Sequence, residues 1–345
     1  MNPTDQWLKG TFCPDDGSGQ ETGQYVGILH IRPDLKDWLT SGDPIYFSSY
    51  AFQWLEIFAK PHLASTTYAC YRQQLKKHIL PAFPMRDIRS IETADIQLFF
   101  NERRYLHHES QRKLRNILNM IFAAAEDDHL IDRNPTHSPR LKLTNAQKTV
   151  RETLSVDAMA DIQDVLPKLE NDLDKRYLAL QMSMALRPCE VLGLRWEDVD
   201  LANGLLHIRR NVVHPTRNQP EVKTLKTEGS VRDLPISTLA LPYLQQGGEG
   251  FLFGGEAPIT YGTFRGIWRR IGRQIDLRGA TGYTFRHTIL TDLYDATKDV
   301  KTTQLYAGHS TPDMTMRRYV HGRQKNLQVA AHALDGLYTR DKQRI

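Results

Sequence analysis

Four short blocks, met in a fixed order, constrain this chain more than its composition does. The first is Leu186-Arg187-Pro188-Cys189-Glu190, where an acid follows an arginine by three residues. The second is Leu225-Lys226-Thr227-Glu228-Gly229, a lysine at the end of an expected strand and beside a turn signal. The third is Tyr283-Thr284-Phe285-Arg286-His287, and the fourth is Gly308-His309, followed ten residues after the His by Tyr319. Pro188 and Pro312 each suit the first turn of a helix, because the proline φ is already helical. Glu190 then falls in a first turn, where a carboxylate is favoured by the helix dipole. Tyr319 rides near the end of its helix, next to Arg318 and two residues before His321, an unusual place for a core residue.

In this order and spacing the blocks resemble the tyrosine recombinase (phage integrase) family. The resemblance covers roughly residues 150–325, and more loosely the helical segment before them. It implies a mainly α chain: a helical core-binding domain, then a tyrosine-recombinase catalytic domain of α+β type with a small antiparallel sheet. It implies site-specific recombination, in which DNA is cut and rejoined through a 3′-phosphotyrosyl intermediate to integrate or excise a phage or other mobile element. Tyr319 is then the nucleophile, with Arg187, Lys226, Arg286 and His309 as its catalytic partners, Glu190 orienting Arg187, and His287 in support. The partners implied are double-stranded DNA attachment sites, a homotetramer on DNA that exchanges C-terminal tails, and host or phage proteins that bend DNA. A cytoplasmic, nucleoid-associated protein follows.

The residue chemistry agrees. A phosphodiester is cut by in-line attack, and an enzyme mainly positions the groups and neutralises charge on the non-bridging oxygens. Guanidiniums suit this because each offers a planar fork of donors and stays charged. A phenol has a pKa near 10, so Tyr319 needs cationic neighbours to attack at neutral pH. Storing the bond energy covalently removes the need for ATP; the sequence has no ATP motif, and no cofactor or metal is expected. Arg195 and Arg232 read as structural or backbone-contacting, and Tyr306 as packing.

The sequence departs from the family pattern twice. Ala185 stands where many relatives have Gly, a change expected to have little effect. Tyr283 occupies the first position of the His-x-x-Arg block, where the usual His serves as a general acid or base. A Tyr still donates or accepts a hydrogen bond but titrates far from neutrality. A catalytically impaired DNA-binding relative of the same fold is therefore the alternative. A metal-dependent nuclease built on Glu197, Asp198 and Asp200 is a weaker one, since a carboxylate cluster without further ligands is a poor site.

Read in order, residues 1–42 are an N-terminal segment rich in turn signals, with a strand expected at Gln24–Ile31 and room for a small arm module. Residues 43–134 read as the core-binding domain, with helices over 48–59, 66–79, 93–104 and 110–127. Phe52, Leu55 and Phe58 make the apolar stripe of the first helix; Leu114, Ile117, Ile121 and Ala125 make that of the last. Arg72, Lys76, Lys77, Arg112, Lys113 and Arg115 lie off these stripes as candidate DNA contacts.

Residues 135–151 read as a linker and 152–345 as the catalytic domain with a tail helix. In the latter, Val222–Leu225 and Val231–Ile236 read as two strands joined by a turn at Glu228–Gly229. Arg265, Arg269 and Arg273 recur every four residues beside an apolar helical stripe, a ready tracker of a DNA backbone. A net charge of +5 is compatible with an anionic partner but decides nothing by itself. Cys13, Cys70 and Cys189 lack metal-ligand or disulfide spacing, and no apolar run approaches a membrane span.

Overall fold

The computed structural model describes residues 43–144, 153–225 and 229–319, with the backbone alone for 5–11, 24–30, 314 and 317–319. The chain divides into two compact units, Met1–Thr149 and Val150–Ile345.

In the first unit, β1 (Asp5–Thr11) pairs antiparallel with β2 (Gln24–His30), from Asp5 opposite His30 to Thr11 opposite Gln24. β2 matches the expected strand. β1 is not evident in the sequence, because its Lys and Gly interrupt the alternation that marks a strand.

Four helices follow: α1 (Phe47–Trp54), α2 (Ser65–Gln74), α3 (Thr93–Glu102) and α4 (His108–Asp127). α1 and α2 each run on into a π-helical turn, at Leu55–Ala59 and Leu75–Ile79. The π turn shifts the helical phase, so Phe58, expected in the apolar stripe, is exposed while Leu55 and Ala59 are buried. In α4 the expected stripe of Leu114, Ile117, Ile121 and Ala125 is fully buried. Phe47 and Phe122, with ring centroids 5.4 Å apart, knit α4 to α1.

The second unit opens on α5 (Val156–Val165), capped by Ser155, whose Oγ accepts from Ala158 N at 3.2 Å. α6 (Asp172–Ser183) is its central helix, and Tyr177 is its anchor. That ring is fully buried edge-on among Phe253, Phe264 and Trp268, at centroid distances of 5.6, 5.7 and 5.5 Å. α7 (Pro188–Gly193) leads into β3 (Val199–Asp200), β4 (Leu205–Ile208), β5 (Arg210–Thr216), β6 (Gln219–Thr224) and β7 (Arg232–Pro235). α8 (Tyr261–Gln274), α9 (Gly282–Thr297), α10 (Val300–Ala307) and α11 (Pro312–Tyr319) complete the described chain.

The strands correct one expectation. β6 and β7 do not form a hairpin. β6 folds back on β5, with Val212 opposite Val222, and β7 joins β4 in the antiparallel order β3-β4-β7. The pairing follows burial. β4 presents Leu206 and Ile208 to the core, and Leu234 of β7 completes that row opposite Leu206. β6 has no buried residue to offer β7. The architecture is thus mainly helical with small antiparallel sheets. No helix among the described residues is long and apolar enough to cross a membrane.

Candidate active site

Three separate stretches of the second unit meet at Glu190. Proline at the first position of α7 leaves Glu190 in the first turn, where its Oε2 accepts from Arg187 N at 2.9 Å. The same carboxylate receives Arg187 Nη1 at 2.6 Å and Arg232 Nη2 at 2.9 Å, and lies 3.9 Å from Arg286 Nη1. Glu190 is buried, and burial alone would raise its pKa. The guanidiniums of Arg232, Arg187 and Arg286 outweigh that and hold it at about 2. Three cations around one carboxylate leave positive charge in excess, an arrangement that favours an anion.

Arg286, on the buried side of α9, donates from Nη1 to Ala185 O and from Nη2 to Ala307 O, both at 2.6 Å. It is therefore fixed to the turn before Arg187 and to the end of α10. That end is closed by Gly308 at φ +62°, which turns the chain so that His309 N returns to Gln304 O at 3.2 Å. His309 is buried, with Nε2 at 3.2 Å from Arg286 Nη2 and Nδ1 at 2.9 Å from Thr315 Oγ1. Arg187, about a quarter exposed, reaches Gly308 O with Nη2 at 3.3 Å.

Tyr283 lies in the first turn of α9, behind the Thr281 cap, and is more than half exposed. What burial it has, together with nearby Cys189, pushes its phenol up against the pull of Arg187 and Arg286. Gly282 beside it packs so closely that a Cβ there would lie 2.0 Å from Gln181 Oε1. His287 sits one turn further along α9, half-buried. Lys226 lies outside the described residues, as does the side chain of Tyr319, whose backbone ends α11. The structure thus brings Arg187, Glu190, Arg286 and His309 together.

Two further side chains join this cluster. Arg232, read as structural or backbone-contacting, is bonded directly to Glu190, and Thr315 orients His309. The Arg232–Glu190 bond spans 42 residues of sequence and leaves no local pattern, while Thr315, six residues after His309, is an ordinary helix residue until its hydroxyl is seen to meet the ring.

Of the candidate DNA contacts, Arg72, Lys76, Lys77, Arg112 and Lys113 are exposed in the first unit, as are Arg265, Arg269 and Arg273 on α8. Arg115 is not directed outward as expected: it is half-buried, and its Nη2 donates to Thr136 O at 3.2 Å. Glu197, Asp198 and Asp200 are spent on local pairs. Asp198 accepts from Arg195 N at 2.7 Å and Arg210 Nη1 at 2.6 Å, Glu197 from Arg210 Nη2 at 3.2 Å, and Asp200 from Asn203 at 2.6 Å.

Fold and sequence together define a class, the tyrosine-type site-specific DNA recombinases. The chain belongs to the phage integrase family, which residues 152–326 match, while residues 46–103 match the phage integrase N-terminal SAM-like domain. A tyrosine recombinase XerC-like protein of Caldanaerobacter subterraneus subsp. tengcongensis is 23% identical over 341 residues, covering 89% of this chain and 85% of the relative. The transposase from transposon Tn916 of Enterococcus faecalis is 23% identical over 264 residues, covering 69% of this chain and 65% of the relative. Among solved structures, the Tn1549 transposon integrase in complex with a circular intermediate DNA superposes with a TM-score of 0.66 at 18% identity. That match covers 84% of this chain and 100% of the other.

Proposed function

We propose that this recombinase moves a phage or other mobile element into or out of a chromosome, with Tyr319 as the nucleophile. The observation that carries the reading is the convergence of Arg187, Arg286 and His309 about Glu190, with α11 and Tyr319 directly following the His309 turn. In this reading the Tyr319 phenol gives its proton up to water under the pull of the neighbouring cations, its oxygen attacks the scissile phosphorus, and a P–O bond forms as the bond to the 5′ oxygen breaks. Arg187 and Arg286 neutralise the non-bridging oxygens, and His309 donates to the same phosphate. Lys226 gives its proton to the departing 5′ oxygen, which would otherwise leave as an alkoxide. Attack of another strand's 5′ hydroxyl reverses the chemistry and frees Tyr319. Tyr283 contributes a hydroxyl where relatives use an imidazole.

The partners proposed are double-stranded attachment sites, three further copies of the chain with exchanged C-terminal tails, and accessory proteins that bend DNA. The exposed basic residues of α2, α4 and α8 supply phosphate contacts. The likeness to a transposon-encoded relative supports the mobile-element reading.

The test is incubation with DNA carrying the attachment site, looking for a protease-sensitive covalent complex. The wild type forms it, while Tyr319→Phe binds the DNA and forms none. An adduct that survives in Tyr319→Phe removes Tyr319 from the role, and none with the wild type favours an impaired DNA-binding relative.

A further inference from the structure

Arg232 opens β7, and its side chain is only 7% exposed. Its Nη2 and Nη1 reach the two oxygens of Glu190 at 2.9 and 3.4 Å. Its Nε donates to Tyr306 O at 3.0 Å and its Nη1 to Ser230 O at 2.9 Å. It also lies directly under the Gly308–His309 turn: a Cβ on Gly308 would come within 2.6 Å of Nη1. One guanidinium therefore supports both halves of the candidate phosphate cradle. On one side it holds the carboxylate that aims Arg187; on the other it holds the helix end that presents His309. Each of its three nitrogens is bonded to a protein oxygen: Nη2 and Nη1 to Glu190, Nε to Tyr306 O, and Nη1 also to Ser230 O.

We propose that Arg232 is a positioning residue of the cleavage site, holding Glu190 and the Gly308–His309 turn so that Arg187 and His309 address one phosphate. The inference rests on the reading of Arg187 as a phosphate ligand. A hydrophobic side chain of similar length could fill the same space, but it could not fix the carboxylate and the turn at once. Misplacing a positioned group by about 1 Å costs on the order of 100-fold in rate.

The test compares cleavage of ordinary DNA with cleavage of DNA whose scissile phosphate carries a methyl group in place of one non-bridging oxygen. That phosphonate is neutral, so it has less need of Arg187 in the transition state. Arg232→Met is expected to bind DNA as the wild type does and to cleave the phosphodiester on the order of 100-fold more slowly. On the phosphonate its deficit should shrink to a few-fold. Arg232→Lys keeps the charge but cannot bridge three partners, so it should show the same pattern more weakly. Equal deficits on the two substrates overturn the proposal and leave Arg232 a support of the core. So does a loss of folding in both variants, seen as the absence of a cooperative thermal transition. Arg187→Ala is run alongside. If Arg187→Ala is rescued by the phosphonate and the Arg232 variants are not, the positioning role falls alone. If Arg187→Ala is not rescued, the phosphate-ligand reading falls and takes this inference with it.

Discussion

Glu190 gathers three guanidiniums of the second unit, and its ionisation should be visible in stability. Its folded pKa is held at about 2, below the ordinary 4.5, by the guanidiniums of Arg232, Arg187 and Arg286 acting against burial. A depressed carboxylate contributes stability that is present above pH 4.5 and lost as pH falls towards 2. Each tenfold change in the proton affinity of the carboxylate is about 1.4 kcal/mol, so the contribution is on the order of 3 kcal/mol. Glu190→Gln should flatten that acid limb and lower stability at pH 7; an unchanged limb in acid unfolding would show that the pairs are worth little.

At the same scale, Tyr283→His is expected to keep or raise cleavage, and Tyr283→Phe to lower it by removing the hydroxyl. Identical rates for wild type, His and Phe would take Tyr283 out of the chemistry. The residues brought together, Arg187, Glu190, Arg286 and His309, were legible because each belongs to a motif of fixed spacing. The bond of Arg232 to Glu190 was not, because a hydrogen bond across 42 residues of sequence leaves no local pattern; nor was that of Thr315 to His309, because a threonine six residues on is no signal by itself.

Elements carry the site through their ends more than their middles. The turn between α6 and α7 places Ala185 at φ +49°, fully buried, with its carbonyl accepting from Arg286. A left-handed conformation costs a residue with a Cβ about 1–2 kcal/mol. Glycine at 185 would relieve that, but it would give up a buried methyl worth about 0.8 kcal/mol and add freedom to the unfolded chain. Ala185→Gly should therefore unfold within about 1 kcal/mol of the wild type. Ala185→Val, branched at Cβ in the same conformation, should lose more than about 2 kcal/mol and with it the hold on Arg286. Chemical denaturation of the three proteins checks the order.

α8 offers a second contrast. Arg270 is tied to Asp174 at 2.6 Å, whereas Arg265, Arg269 and Arg273 are exposed. If those three meet phosphates, replacing all of them by Ala should reduce the slope of log affinity against log salt by about 2.7, and Arg270→Ala should not change it. Helices were readable from their stripes, because period and burial coincide over many residues. The pairing of β6 and β7 was misread because short strands of low alternation do not say which neighbour they take; Leu206 facing Leu234 decides that.

Among the described residues two large cores form, with a third, small cluster of Ala185, Leu290 and Ala307. One gathers Phe47, Phe83, Phe99, Phe100 and Phe122 with aliphatic residues of α1, α3, α4 and the two π-helical turns. The other is organised on Tyr177, with Leu206, Leu234, Ile267, Ile271 and Phe285 around it. The two clusters share no residue, so each unit buries its own apolar surface. A core that closes on itself folds without its neighbour. Separate fragments spanning 43–144 and 153–345 are therefore expected to unfold cooperatively, each at a midpoint matching one of two calorimetric transitions of the intact protein. The acid limb assigned to Glu190 should follow the second fragment alone, since Arg187, Arg232 and Arg286 all lie within it. A single transition in the intact chain, with either fragment unfolded on its own, would show instead that stability depends on both units together and that the second core is incomplete without the first.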